Sequence, residues 1–254
     1  MLDRILEATR ERVVDLRARY HTVMTRAETM PAPPPFAEAL LADPKLAVVA
    51  EIKRRSPSRG RLVADLDVAR LAHEYAAGGA AALSVLTEPA FFDGNPADVA
   101  AASDSAHLPI LRKDFTLESI QVWEAKAMGA SAVLLIGSAL TPNEIVALLD
   151  VVERAGLEAL VEVHDAEEAR MAIDLGARLV GVNNRNLTTF DVKLEVAEDL
   201  ASLLDAAPVK VAESGILGPP EARRMRDAGY DAVLVGEALV KSSHPASLIR
   251  ELRV

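Results

Sequence analysis

Hydrophobic and polar positions repeat along this chain in units: an amphipathic helix ends at a glycine, and an apolar strand follows within a few residues. Gly129 precedes the apolar run 132–136 in this way, and Gly156 precedes the run 159–163. Glycine is favoured just after a helix because it adopts the left-handed conformation without steric cost. The pattern predicts eight strands, at 47–53, 82–86, 109–113, 132–136, 159–163, 179–183, 208–213 and 232–236.

The first 46 residues follow a different pattern. Apolar residues at helical spacing predict one helix over 2–20, prolines form a stiff connector at 31–35, and a short helix is expected over 36–42. This segment is too short to be a domain. We therefore expect 1–254 to form one domain, in which 1–46 is an N-terminal helical extension packed on a barrel of residues 47–254.

The strands are continuous apolar runs, as is typical of parallel sheets that are buried on both faces. Eight such strands alternating with helices over 254 residues predict an α/β protein with a closed (β/α)8 architecture, the TIM barrel. A doubly wound open sheet is the alternative, but no glycine-rich dinucleotide motif follows the first strand. In the barrel, chemistry is expected at the C-terminal ends of the strands.

Composition narrows the class of function. The chain has no cysteine, which excludes disulfides, a thiolate nucleophile and a Cys-based metal site. The N-terminus lacks the apolar core of a signal peptide, and no apolar run is long enough to span a bilayer, so we expect a cytoplasmic protein without a membrane partner. The net charge of −10 argues against nucleic-acid binding, so any cations that hold an anion must be local.

Charged and polar residues stand at the strand ends, where a barrel core would place Val, Ile or Leu. They are Glu51 and Lys53 on the first strand, Ser84 on the second, Lys113 on the third, Glu162 on the fifth, Asn183 on the sixth, and Glu213 with Ser214 on the seventh. Glu51 and Lys53 share one strand face because successive side chains alternate. These residues could form a buried ion-pair network that only plugs the barrel mouth. Convergence of the whole set at one rim favours catalysis.

Glycines after the last two strands predict an anion site. Gly215 follows Ser214, and Gly236 precedes Glu237 at the start of a short helix. Backbone N–H groups in these places are the usual phosphate site of barrel enzymes. Ser56 and nearby arginines in the loop after the first strand are also suited to hold an anion. The alternative is that the glycines only form tight turns.

Seven short motifs extend this picture along the whole chain. They are AEIKRRSPS at 50–58, SVLTE at 84–88 with FDG at 92–94, PILRKDF at 109–115, LVEVH at 160–164, GVNNRNL at 181–187, VAESG at 211–215 and VLVGE at 233–237. Together they resemble the indole-3-glycerol-phosphate synthase family of tryptophan biosynthesis. Asn186, Gly137 and Pro89 depart from the commonest family pattern, but none of them replaces a proton donor that the family uses.

The resemblance implies a carbon–carbon lyase, more narrowly a carboxy-lyase. Its reaction closes a ring in 1-(2-carboxyphenylamino)-1-deoxyribulose 5-phosphate, with loss of carbon dioxide and water, and gives indole-3-glycerol phosphate. By similarity, Lys113 donates a proton to the ketone oxygen, and Lys53 pairs with the substrate carboxylate and donates a proton in the dehydration. Glu162 performs acid/base work as water leaves, with Glu51 as a neighbouring base. The order in which the two lysines act stays open.

The resemblance also implies a set of positioning and binding residues. The groups that would hold hydroxyls and lysines are Asn183, Glu213 and Ser214. The phosphate site is matched by Ser56, Gly215, Gly236 and Glu237. The anthranilate ring would be flanked by Phe92, Phe115, Leu134 and Leu187, and Arg185 is a further substrate-binding position. No metal or organic cofactor is expected, and the partner is a phosphorylated, anionic small molecule. We expect a monomer or weak homodimer, without a fused second barrel for the preceding isomerisation.

Two other functions remain open from the residues. A different phosphosugar barrel enzyme could use the same phosphate site, either as an isomerase acting on phosphoribosylanthranilate or as an aldolase that forms a Schiff base through Lys113. The barrel could also be an inactive ligand-binding or scaffold protein. Intact Lys53, Lys113 and Glu162 argue against an inactive protein.

Overall fold

A computed structural model describes residues 1–63, 65–186 and 189–254. Eight strands form its central sheet: β1 Ala47–Ile52, β2 Ala82–Leu86, β3 Ile110–Lys113, β4 Ala132–Ile136, β5 Glu158–Val163, β6 Leu179–Asn183, β7 Val209–Glu213 and β8 Ala232–Val235. Each strand pairs in parallel with the next, and β1 closes the ring by pairing with both β2 and β8. The predicted (β/α)8 barrel is confirmed, with each strand end within one residue of its expected position.

Thirteen α-helices lie in the described residues. They are α1 Leu2–Ala18, α2 Tyr20–Thr29, α3 Phe36–Leu41, α4 Val68–Gly78, α5 Pro89–Phe92, α6 Ala97–Ala106, α7 Ser119–Met128, α8 Pro142–Ala155, α9 Ala166–Asp174, α10 Glu195–Leu200, α11 Pro219–Asp227, α12 Glu237–Lys241 and α13 Pro245–Leu252. Left-handed glycines end α7 and α8, with φ of 89° at Gly129 and 69° at Gly156, as the repeating pattern predicts. Within these ranges, no helix is long and apolar enough to cross a membrane.

Two apolar layers follow from the alternation of side chains along the strands. Val48 and Ile52 of β1 point outward and pack with the surrounding helices, whereas Val49 points into the barrel and packs with residues such as Leu160. Interior positions are therefore every second residue of each strand. The charged residues at the strand ends fall on these interior positions, so they point into the barrel rather than toward the helices.

Helix α3 closes the N-terminal end of the barrel. Its Phe36 and Leu40 are buried among interior residues of the strands. Glu158, at the start of β5, accepts hydrogen bonds from the backbone N–H groups of Phe36 (2.5 Å) and Ala37 (3.1 Å) and so satisfies the first turn of α3. In the part of the chain that the structure describes, α3 thus covers the interior at the N-terminal ends of the strands.

The N-terminal segment differs from the single helix expected over 2–20. The helix breaks at Arg19 (φ −100°, ψ 17°), and a second helix, α2, begins at Tyr20. Val23 of α2 packs with Val13 and Leu16 of α1 against Ile120 of α7, so the two helices share one apolar surface across the break. Tyr20 consequently begins α2 and is exposed instead of ending the apolar face of α1.

Helix α1 is fastened to the loop that follows β3. Arg12 forms a two-pronged ion pair with Asp114, at 2.7 and 3.1 Å, and Arg17 forms another with Glu118. The Asp114 carboxylate is fully buried and Arg12 is mostly covered, so this pair is shielded from solvent on one side. The start of α1 is thereby brought to the C-terminal face of the barrel.

Candidate active site

A cavity of about 440 Å³ opens at the C-terminal ends of the strands. Among the residues that line it are the catalytic and substrate-binding residues that the family resemblance implies, as far as the structure describes them: Glu51, Lys53, Ser56, Phe92, Lys113, Phe115, Leu134, Glu162, Asn183, Arg185, Glu213, Ser214, Gly215, Gly236 and Glu237. Ser84, the remaining strand-end residue, does not line it. Leu187 lies outside the described residues. Because this space remains open among the charges, they do not plug the barrel mouth.

The charged floor of the cavity is formed by Glu51, Lys53, Lys113, Glu162 and Glu213 at the strand ends. Lys113 lies at its centre. Its Nζ donates to Glu162 Oε2 at 2.9 Å and to Glu213 Oε2 at 2.5 Å. Asn183 Nδ2 donates to the other oxygen of Glu162 at 3.1 Å. Both glutamates that contact Lys113 are buried, so the ammonium is held between two carboxyl groups in a poorly solvated place.

The protonation states follow from this packing. Burial by itself would lower the pKa of Lys113, but the carboxylates of Glu162, Glu213 and Glu51 outweigh it and raise the pKa above the ordinary lysine value. Lys113 is therefore an ammonium at neutral pH. Burial, together with repulsion from Glu162 and Glu51, raises the pKa of Glu213 to about 7 even though Lys113 opposes the shift. Glu162 shows the opposite shift, because Lys113 holds its pKa below the usual range against burial.

A second ion pair between a lysine and a glutamate lies at the end of β1. Lys53 Nζ forms a hydrogen-bonded ion pair with Glu51, two residues before it on the same interior face. The register pairs Glu51 with Ser84 of β2, which is also interior; among the described residues the Ser84 hydroxyl finds no hydrogen-bond partner. The floor thus carries two ammonium groups and three carboxylates.

Gly236 is required for the position of this second pair. A Cβ at residue 236 would collide with the Glu51 carboxylate and would lie 3.0 Å from Lys53 Nζ. The φ of Gly236 is −116°, so the obstacle is contact and not backbone strain. Glycine here lets the start of the β8 loop approach the charged floor closely.

We expect Gly236→Ala to lower kcat/KM by about 10²-fold, since displacement of reacting groups by about 1 Å has an effect of that size. The measurement is steady-state kinetics beside a thermal melt. Gly218→Ala is the matched control, because a Cβ there would meet its nearest atom only at 3.7 Å. Equal kinetics for the two variants would contradict the packing assigned to Gly236.

One end of the cavity is cationic. Arg185 Nη1 donates to Ser58 Oγ at 3.4 Å and to the Phe190 carbonyl at 3.3 Å, and Arg59 Nε lies 3.7 Å from Glu237. Burial lowers the pKa of Arg185, and repulsion from Arg59 adds to the shift against the attraction of Glu237. Both guanidinium-bearing residues line the cavity, so this end is suited to an anion.

The turn after β7 lies at the same rim. Ser214 (φ 65°) and Gly215 (φ 85°) adopt consecutive left-handed conformations, and Asn184 Nδ2 donates to the Ser214 carbonyl at 3.1 Å. A Cβ on Gly215 would lie 2.7 Å from Val192 Cγ1, so both the backbone conformation and the space select glycine. The backbone conformation of this turn is therefore fixed. A fixed backbone suits a loop whose N–H groups bind an anion.

The remaining wall is aromatic. The rings of Phe92 and Phe115 are tilted against each other with centroids 6.2 Å apart. The backbone of Phe115 is fixed on both sides, because its N–H donates to Asp114 Oδ1 and its carbonyl accepts from Gln121 Nε2, each at 2.8 Å. Leu134 of β4 lies below them on an interior position. This wall suits a flat aromatic ring.

Several lining residues were not found from the sequence. Met1, Leu2 and Ile5 reach the cavity from α1, and Phe190 and Val192 reach it from the loop after β6. The apolar residues of α1 predicted only that this helix packs on the barrel. No local pattern in the sequence identifies which part of the barrel the helix contacts. In the part of the chain that the structure describes, no group of three His, Cys, Asp or Glu side chains is arranged to hold a metal ion.

Comparison with known proteins adds independent findings. The family model described as indole-3-glycerol phosphate synthase matches residues 2–252. A protein of that name from Parafrankia sp. (strain EAN1pec) is 48% identical over 245 residues, covering 96% of this chain and 90% of that protein. Another, from Roseiflexus castenholzii, is 45% identical over 262 residues, covering 99% and 97%.

Solved structures agree on the fold. A 3-hexulose-6-phosphate synthase superposes with a TM-score of 0.61 at 18% identity, covering 82% of this chain and 98% of that one. A thiamine phosphate pyrophosphorylase from Pyrococcus furiosus gives a TM-score of 0.61 at 19% identity, covering 85% and 95%. At these identities the likeness concerns the barrel alone. The family match over nearly the whole chain and the close relatives decide the assignment: this chain belongs to the indole-3-glycerol phosphate synthase family.

Proposed function

We propose that this chain is an indole-3-glycerol phosphate synthase that acts in tryptophan biosynthesis. It converts 1-(2-carboxyphenylamino)-1-deoxyribulose 5-phosphate to indole-3-glycerol phosphate, carbon dioxide and water. The single observation that carries the proposal beyond family membership is Lys113, an ammonium held by Glu162 and Glu213 at the floor of a cavity that has aromatic side chains on one wall and cations at one end. The substrate has a ketone, an aromatic ring and a phosphate, which correspond to these three features.

Ring closure comes first. The ring carbon that bears the carboxylate attacks the ketone carbon, and Lys113 donates a proton to the ketone oxygen, which becomes a hydroxyl. The carbon–carboxylate bond then breaks, carbon dioxide leaves, and its electron pair restores the aromatic ring. Lys53 pairs with the carboxylate before it leaves. A raised pKa does not prevent Lys113 from acting as an acid, because the negative charge that develops on the ketone oxygen lies beside it.

Dehydration completes the reaction. The new hydroxyl leaves as water once Lys53 has given it a proton, and the methylene carbon next to nitrogen loses a proton to Glu162, which forms the indole double bond. Glu51, paired with Lys53, is the neighbouring base. In total the substrate accepts two protons and releases one, so one proton is taken up in each turnover. That balance matches the conversion of a carboxylate anion to neutral carbon dioxide.

The remaining residues hold the substrate in place. The lysines and the ribulose hydroxyls are oriented by Asn183, Glu213 and Ser214. The aromatic ring of the substrate is flanked by Phe92, Phe115 and Leu134. The phosphate is held by Ser56, Arg185, Gly215, Gly236 and Glu237. Arg185 and Arg59 both line the cavity there, which supports an anion at that end. The proposal further takes the enzyme to act in the cytoplasm as a monomer or weak homodimer. No metal, organic cofactor, nucleic acid or membrane takes part.

The aldolase alternative has a specific observation against it. A Schiff base needs a neutral amine as nucleophile, whereas the surrounding carboxylates raise the pKa of Lys113. Borohydride should therefore trap no adduct between substrate and lysine. An inactive scaffold is disfavoured for another reason: desolvating five charged groups around an open cavity is costly, and substrate binding would give them a use.

The direct test gives purified protein the carboxyphenylamino ribulose phosphate and follows indole fluorescence. We expect product formation with multiple turnovers and no added metal or cofactor. Absence of product at enzyme concentrations close to the substrate concentration would refute the proposed function.

A further inference from the structure

His164 lies directly behind the proposed base Glu162, although it does not line the cavity. It follows Glu162 by two residues, so its side chain leaves the end of β5 on the same face. Its Nε2 is buried 3.3 Å from Glu162 Oε1, and among the described residues this nitrogen has no hydrogen-bond partner of good geometry. The imidazole is therefore directed at the carboxylate that the reaction uses.

The other side of the imidazole is held by Glu168 of α9. Glu168 Oε2 lies 3.1 Å from His164 Nδ1 and also accepts from the His164 backbone N–H at 2.9 Å. Asp165 caps the start of α9 by accepting from the N–H groups of Glu167 and Glu168, which leaves the Glu168 side chain free to turn back. One short turn between β5 and α9 thus fixes the orientation of the imidazole.

Gly137, at the end of β4, provides the space for this arrangement. A Cβ at residue 137 would lie 3.1 Å from Glu168 Oε2 and 3.3 Å from the Glu162 carbonyl oxygen. A bulkier residue would push Glu168 away from His164. The departure from the commonest family pattern at this position therefore has a local consequence in this chain.

We propose that His164, held by Glu168, is a positioning residue that keeps Glu162 ionised and turned toward Lys113. The inference rests on the proposed function, because it assigns the pair to the reaction that uses Glu162. Histidine acts here through Glu162 and not on the substrate. Lys113 is the first cation beside the Glu162 carboxylate, but it is shared with Glu213. The His164 imidazolium supplies a second cation beside Glu162.

The charges around the pair support this assignment. Four groups surround the Glu162 carboxylate: Lys113 at the end of β3, His164 just after β5, the Asn183 amide at the end of β6, and the like charge of Glu213 at the end of β7. Burial lowers the pKa of His164, but Glu162 and Glu168 outweigh burial and raise it to about 10. The imidazolium is accordingly present over the whole physiological range.

A simpler interpretation is that Glu168 only fixes the turn before α9. The two interpretations differ in their pH dependence. Loss of a structural contact lowers kcat by the same factor at every pH. If Glu168 instead maintains the imidazolium, its removal matters only where His164 has lost its proton.

The first experiment compares kcat for Glu168→Gln and His164→Gln with wild type at pH 6.5 and at pH 9. The wild type measured at each pH corrects for titration of the substrate. We expect His164→Gln to lose on the order of 10- to 100-fold at both pH values, since it displaces a catalytic group. Glu168→Gln should resemble wild type at pH 6.5 and approach His164→Gln at pH 9. Glu167→Gln, an exposed change of the same charge one residue earlier, should match wild type at both.

The second experiment does not depend on activity. In protein labelled with 15N-histidine, the imidazole signal that is missing from His164→Gln should titrate near pH 10 in wild type. In Glu168→Gln it should titrate clearly below pH 9, so that most of the imidazolium is lost at the higher pH of the first experiment, and in Glu162→Gln it should titrate at least one pH unit lower than in wild type. These shifts are expected even if the protein makes no indole-3-glycerol phosphate, so failure of the proposed function would be recognised separately.

Three results would overturn the inference. One is wild-type kcat in His164→Gln. Another is a loss in Glu168→Gln that is the same at pH 6.5 and pH 9. The third is a His164 imidazole that titrates at its ordinary value in the wild-type protein.

Discussion

Lys113→Met is expected to abolish turnover, with a fall in kcat on the order of 10²- to 10⁴-fold, the range associated with loss of a general acid. Methionine has nearly the length of the lysine side chain, so the change removes the proton donor without opening a large hole. Binding of indole-3-glycerol phosphate should remain largely intact, because Arg185 and Arg59 form the cationic end of the cavity. The measurements are indole fluorescence for kcat and a product titration for affinity.

The same variant makes a prediction about stability and pH. In wild type, Lys113 holds the pKa of Glu162 far below its ordinary value, so the pair stabilises the fold fully above the ordinary glutamate pKa and loses this contribution only as the pH falls through the lowered pKa. Without Lys113, the difference in Tm from wild type should be largest at pH 7, should persist near pH 4, and should shrink only in more acid solution. Lys45→Met, an exposed change of the same type, should leave kcat and Tm unchanged. Wild-type turnover in Lys113→Met would show that another group is the acid.

Glu162→Gln should give the second large loss, also on the order of 10²- to 10⁴-fold in kcat. Glutamine keeps the shape and most hydrogen bonds of the side chain but cannot accept the proton released during dehydration. Lys113 keeps its 2.5 Å contact with Glu213, so its position should change little. If ring closure still proceeds, a dihydroindole intermediate that retains the hydroxyl should accumulate, and rapid quench with mass spectrometry would detect it.

Glu153→Gln on the exposed side of α8 is the control for this change of charge, and its kinetics should equal those of wild type. The variant also tests the electrostatics of the floor. Repulsion from Glu162 contributes to the raised pKa of Glu213, so that pKa should fall below about 7 when the charge at residue 162 is removed. A kcat within a few-fold of wild type would mean that Glu162 is not the base.

Much of this site was accessible from local pattern. Glu51, Lys113, Glu162 and Glu213 stand out because each interrupts an apolar strand at its C-terminal end, where barrel enzymes carry their chemistry. Their interior orientation follows from the two-residue period of a strand. The substrate did not follow from these considerations and came from the family motifs, whose assignment the family match and the relatives confirm.

Other features had no readable local signal. The helix break at Arg19 is one of them, because apolar residues keep helical spacing from Val13 to Val23 and gave no reason to expect a break. Met1, Leu2 and Ile5 line the cavity because tertiary packing brings the N-terminal helix to this rim. Part of that packing is the ion pair between Arg12 and Asp114, which joins residues 102 positions apart.

The amino-acid sequence was sufficient to specify the eight strands, their inward faces and the rim at which the charges gather, because periodicity and glycine end signals act over a few neighbouring residues. The three-dimensional packing was needed to establish which charges touch. The contacts of Lys113 with Glu162 and Glu213 join three different strands and depend on closure of the ring, and the ion pair of Arg12 with Asp114 depends on a helix packed outside it. Such contacts are set by long-range geometry, and in a buried site they determine the protonation states on which the chemistry depends.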